Sequence, residues 1–150
     1  MIASSNIGRY LGREMILGVL HHSLETVDLY LADATVLLLF ARVYDAKLDN
    51  HLLSALLQKH PLALVVTGAG ARKAFDALID LVSTPEPGPH VMTGIFDTTN
   101  VEDAVAEFLH SSWPAEERFD TWKKLMVLIV GPDEDEVVIR ASHVLQHSQD

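Results

Sequence analysis

Three short stretches of the chain combine residue types that can do chemistry. Asp45 follows one apolar run, Gly68 and Gly70 with Arg72 and Lys73 follow a second, and Asp97 with Thr98 follows a third. Two glycines ahead of a helix let backbone N–H groups approach an anion. Two cations in the first helical turn run against the usual dipole preference, which motivates a phosphate ligand. Two carboxylates in one cleft can hold a hard cation such as magnesium, or act as acid and base in different protonation states. Each residue also has a plainer role, because Asp is a favoured helix cap and basic pairs are common on surface turns. The glycine stretch departs from both well-known phosphate loops. A dinucleotide fingerprint needs a small residue where Lys73 stands, and a Walker loop needs a longer turn ending in Lys-Ser or Lys-Thr.

Other chemistries lack their residues. The chain has no cysteine, which removes thiolate nucleophiles, zinc-thiolate sites and disulfides. No serine sits in a Gly-x-Ser-x-Gly elbow. His143 and His147 are four apart and share a face if the segment is helical, yet no glutamate lies between them as a hydrolytic zinc motif requires. No catalytic residue, cofactor or metal site is therefore assigned. Two segments fit recognition better than reaction. Trp113, with Phe119 and Trp122 nearby, either covers the sheet or anchors a protein partner. Asp133, Glu134, Asp135 and Glu136 form an acidic edge that a basic partner would meet.

The elements between these residues must position them. Ala34–Tyr44, Leu62–Val66 and Leu125–Val130 are apolar runs of strand length, the pattern of strands covered on both faces, and Val91–Phe96 reads as a further strand in which Gly94 marks a close approach or a bulge. Helical stripes separate them. The first is Leu48, Leu52, Leu53, Leu56 and Leu57, closed by Pro61; the second is Phe75, Leu78, Ile79 and Val82. The third is Val101, Ala104, Val105, Phe108 and Leu109, capped by Asn100 or Thr99. A helix start is expected at Pro114, and the last segment reads as a helix or as a short strand over EVVIRA. This alternation predicts an α/β domain over residues 34–150, with about four mainly parallel strands and helices on both faces, a three-layer architecture. Residues 1–33 read as an N-terminal helical extension packed on it. Ligands of such a sheet bind outside the carboxyl ends of the strands, where Asp45, the glycine corner, Asp97 and Gly131 would converge.

The stretch VMTGIFDTTNVEDAVAEFLHSSWP, followed by KKLMVLIVG, resembles a small bacterial family known only as a domain of unknown function. The shared order is a strand carrying Met-Thr, a polar turn, an acidic-aliphatic helix ending near Phe-Leu, and a strand closing in Val-Gly. LVVTGAGARKAFDALID fits the same layout, so the likeness spans roughly the last two-thirds of the chain. It implies a Rossmann-like, flavodoxin-like α/β domain and carries no activity or site residue with it.

The chain carries 21 acids and 11 bases, a formal charge of -10. That field opposes a nucleic-acid backbone and favours a basic protein surface. The apolar run Met15–Leu20 is too short for a signal core or a membrane span, so a cytoplasmic protein without membrane association is expected. A homodimer through the N-terminal segment or an uncovered sheet edge is compatible with the pattern. The preferred reading is a non-enzymatic protein–protein interaction module, an accessory, regulatory or immunity-type protein of a bacterial operon. The alternative is a small nucleotide- or phosphate-binding enzyme, with Arg72 and Lys73 on phosphate and Asp45 or Asp97 on a metal.

Overall fold

The computed structural model describes residues 3–20, 29–83, 91–98, 100–131 and 135–150. Its middle layer is a six-stranded sheet of β1 (Ala3–Tyr10), β2 (Arg13–Leu20), β3 (Ala34–Phe40), β4 (Ala63–Gly68), β5 (Met92–Ile95) and β6 (Lys124–Val130). The strand order is β1-β2-β6-β3-β4-β5, all parallel except β1, which pairs antiparallel with β2 at one edge. Helices α1 (Ala46–Leu57) and α2 (Ala71–Val82) cover one face, and α3 (Val101–Ser111) and α4 (Asp135–Ser148) cover the other.

The mostly parallel three-layer α/β plan follows from the apolar runs. In β3, Val36, Leu38 and Phe40 enter one core with Leu52, Leu53 and Leu56 of α1 and Leu78 of α2. Leu37 and Leu39 enter the other core with Val105 and Phe108 of α3 and Leu145 of α4. All seven residues of β3 are buried, so its sequence has no polar alternation. Asn100 caps α3 by accepting the Asp103 N–H at 2.9 Å, as its position suggested.

Four expectations are corrected. Residues 3–20 form a hairpin, not a helix, which raises the strand count from four to six. β2 pairs with β6 along its length, from Glu14 opposite Lys124 to Leu20 opposite Val130, so the N-terminal segment completes the sheet instead of lying on it. Met15 and Leu17 face one core while Leu20 faces the other, and this two-sided burial blurs the period that would mark a strand. The run that begins at Ala34 leaves the sheet at Phe40, because the chain turns there to bring Arg42 and Tyr44 against α1. Pro114 opens no full helix: a single 3-10 turn over Glu116–Arg118 follows, after which Phe119 and Trp122 fold against the sheet. The last segment, left open between helix and strand, is helical over fourteen residues. Gly94 makes no bulge, since β4 and β5 pair in unbroken register from Ala63 opposite Met92 to Val66 opposite Ile95.

Register sets the two ends of the sheet. Leu20, Val130, Phe40 and Gly68 lie opposite one another, so four parallel strands finish at one level. There β3 leads to α1 on one face while the adjacent β6 leads towards α4 on the other, which makes the gap between them a topological switch point.

Candidate functional site

Beside this switch point lies a network that closes on itself. Asp49 stands on the buried stripe of α1, three and four residues before Leu52 and Leu53, and is 1% exposed. Arg42, just beyond β3, reaches it with two parallel bonds, Nη1 to Oδ2 at 2.8 Å and Nη2 to Oδ1 at 2.7 Å. The same carboxylate accepts the Asp45 N–H at 2.7 Å. Planar fork matches planar carboxylate, which is the strongest geometry for such a pair. The hydrogen bond to Asp49 raises the Arg42 pKa, outweighing the opposing effect of burial. Tyr44 donates its hydroxyl to Asn50 Oδ1, and burial, helped by the Asp49 charge, pushes its pKa up to about 12. Neither Arg42 nor Tyr44 changes charge near neutrality, so both fix geometry instead of moving protons. The carboxylate is missed when the sequence is scanned for loop acids; its signal is an Asp inside an apolar helical stripe.

The glycine corner is packed against this network. Gly68 has φ 99°, and a Cβ there would overlap the Phe40 carbonyl oxygen. A Cβ on Gly70 would lie 2.5 Å from Tyr44 Cβ and 2.8 Å from Tyr44 N. The Ala69 N–H donates to Phe40 O at 3.0 Å. The glycines thus let β4 and the start of α2 press onto the loop after β3, and close backbone approach explains them without a ligand.

The other predicted residues have partners of their own. Asp45 caps α1, accepting from the N–H groups of Lys47 at 3.0 Å and Leu48 at 3.3 Å. Arg72, the expected phosphate cation, meets Asp97, the expected metal carboxylate, at 3.4 Å. Both are well exposed, at 63% and 76%, so this is a weak surface pair. Lys73 is exposed. Thr98 Oγ1 accepts the Asn100 N–H at 3.1 Å and shapes the turn into α3. The structure therefore gathers Arg72 with Asp97, and Gly68 and Gly70 with the Tyr44 loop. Among the described residues no three His, Asp or Glu side chains are grouped as metal ligands.

Trp113 is 37% exposed, donates Nε1 to Leu109 O at 2.8 Å, and packs its ring against Phe119 and Trp122. With Leu62, Met92 and Pro114 it lines a mainly apolar cleft of about 520 Å³ at the amino ends of β4 and β5. Asp133 and Glu134 lie outside the described residues, as does the side chain of Asp135. Glu136 is exposed, 4.0 Å from Arg140. Arg140 also binds Glu102 at 2.5 Å, tying α4 to α3, and this bond lowers the Glu102 pKa. The rings of His143 and His147 meet at a tilt of 42°, with centroids 4.1 Å apart, near the end of α4. Among the described residues no helix is long and apolar enough to cross a membrane. Comparison with protein-family models, with curated proteins and with solved structures gives no match.

Proposed function

We propose that this chain is a non-enzymatic interaction module whose partner presents a basic surface, an accessory, regulatory or immunity-type protein of a bacterial operon. The observation that supports it best is an asymmetry between the two helical layers. The spans of α1 and α2 carry as many bases as acids, with Lys47, Arg72 and Lys73 against Asp49, Asp76 and Asp80. The spans of α3 and α4 carry five acids, Glu102, Asp103, Glu107, Asp135 and Glu136, against Arg140. On the same layer Ile139 is 65% exposed, an apolar point on α4. Such a surface attracts a cationic partner from a distance and offers it one dry contact on arrival. The nucleotide-enzyme reading draws less support, since the glycines, Asp45, Arg72 and Asp97 all serve contacts within the chain.

Cross-linking in a lysate of the host, followed by mass spectrometry, tests this reading. The expected result is a heterologous adduct that maps to α3 and α4 and disappears in the variant Asp103→Lys/Glu107→Lys/Glu136→Lys. An adduct indifferent to these reversals counts against it. So does a saturable rise in Tm with ATP, GTP or NAD plus magnesium that is abolished by Arg72→Ala.

A further inference from the structure

At the opposite end of the sheet, β2, β6 and β3 begin at a common level, with Glu14 and Ala34 both opposite Lys124. Here the surface opens into a cleft of about 640 Å³, within the range of small-molecule sites. On a chain of formal charge -10, this cleft gathers four of the eleven bases, Arg9, Arg13, Lys123 and Lys124. Three carboxylates also line it. Asp33 is engaged by Lys124, with Nζ 3.1 Å from Oδ1, while Glu14 lies across the hairpin from Arg9 and Asp120 is exposed.

The two arginines are held differently from Arg42. Arg13 donates Nε to Trp122 O at 3.0 Å and Nη1 to Leu11 O at 2.9 Å, and its guanidinium lies 4.0 Å from the centre of the Trp122 ring. Arg9 donates Nη1 to Gly12 O at 2.9 Å. Carbonyl partners and an aromatic face fix a guanidinium in place without neutralising it. The charge is thus ordered before a ligand arrives, which lowers the entropic cost of binding.

The rim of the cleft also shows how this chain holds an anion of its own. The hairpin turn on the rim, Leu11-Gly12, has φ 51° and 76° and aims both of its N–H groups at one carboxylate. Leu11 N donates to Asp150 Oδ1 at 2.9 Å and Gly12 N to Asp150 Oδ2 at 2.8 Å. Successive N–H groups in such a turn form an oxyanion cradle, and this one is filled by a carboxylate of the chain itself.

We infer that the cleft at the amino ends of β2, β6 and β3 binds a small molecule bearing oxyanions, a phosphate ester or a polycarboxylate, through Arg9, Arg13 and Lys123. Lys124 stays on Asp33 and Tyr30 O and serves as a strut. The binding needs neither the glycine corner nor the partner surface on α3 and α4.

The test is an NMR titration of the full chain, labelled with nitrogen-15, using sodium pyrophosphate and separately citrate at fixed ionic strength. The expected response is saturable, with shifts concentrated at the Gly12 and Lys123 amides, the Arg13 Nε–H and the Trp122 indole. The exposed-site variant Arg9→Gln/Lys123→Gln, its folding confirmed by an otherwise unchanged amide spectrum, should bind at least about tenfold more weakly. Arg72→Ala/Lys73→Ala should bind as the parent does. Stronger binding of pyrophosphate identifies a phosphate ligand, and stronger binding of citrate a carboxylate one. A drift that fails to saturate with either anion overturns the proposal, as does binding that follows Arg72 and Lys73 instead.

Discussion

The two ends of the sheet use arginine in opposite ways. At the carboxyl ends, Arg42 is locked onto buried Asp49, while Arg72 makes only a solvated surface pair with Asp97. At the amino ends, Arg9 and Arg13 are steadied by carbonyl oxygens and keep their charge facing a cleft. An open parallel sheet gives the carboxyl end the stronger prior as a binding site, yet here that end is filled by its own side chains and by two glycines packed on Tyr44. Position in a fold shows where a site can be built. The partners of each charged group decide whether one is left for a ligand.

The largest effect in this comparison is expected from opening the closed end. Asp49→Ala leaves Arg42 and the Asp45 N–H without their acceptor and should cost about 3–5 kcal/mol in urea unfolding; a loss under about 1 kcal/mol would show that the network is dispensable. Next comes Gly70→Ala, whose Cβ meets the Tyr44 backbone and should cost about 1–3 kcal/mol, while leaving any pyrophosphate binding at the far end intact. At the open end, Leu11→Asn places in the left-handed region a residue that tolerates it better than Leu and should raise stability by about 0.5–1 kcal/mol, read as a higher Tm.

A smaller effect concerns acid. Asp150 is held below the ordinary carboxylate range by the Gly12 N–H first and the Leu11 N–H second. Its depressed folded pKa means that the stabilisation is present above the unfolded value and is lost as pH falls through the folded one. Asp150→Asn should therefore unfold more easily than the parent near neutrality, and the two curves should converge in strong acid. Curves that stay parallel down to low pH would show that this carboxylate is not what secures the turn. The smallest change is assigned to Arg72→Ala, within about 0.5 kcal/mol of the parent, because its pair with Asp97 is solvated.

Legibility in the sequence followed local pattern. β3, β4 and β6 announce themselves because strands buried on both faces need consecutive apolar residues, and α1 to α3 because their stripes repeat at helical spacing. The hairpin was hidden by its turn. A two-residue loop of this kind usually carries Asn-Gly or Asp-Gly, whereas here Leu11 takes the first left-handed position with its N–H held by a residue 139 places on. Asp49 was hidden because helix position alone does not reveal that Arg42 folds back across seven residues to meet it. The cationic cleft was beyond local reading, since Arg13 and Lys123 become neighbours only through the parallel pairing of β2 with β6.

That pairing also governs how the chain comes together as it is made. β6 fits between β2 and β3, yet it is the last strand to leave the ribosome. Roughly 80 residues separate the end of β3 from the start of β6, so at ordinary translation rates the inner edge of β3 waits on the order of ten seconds for its neighbour. During that interval the most apolar strand of the sheet shows unpaired N–H and C=O groups to whatever is near, and the hairpin has nothing to dock on. Newly made chains should for this reason depend on chaperones far more than the finished fold does, and a circular permutant that places β6 ahead of β3 should be freed from that dependence.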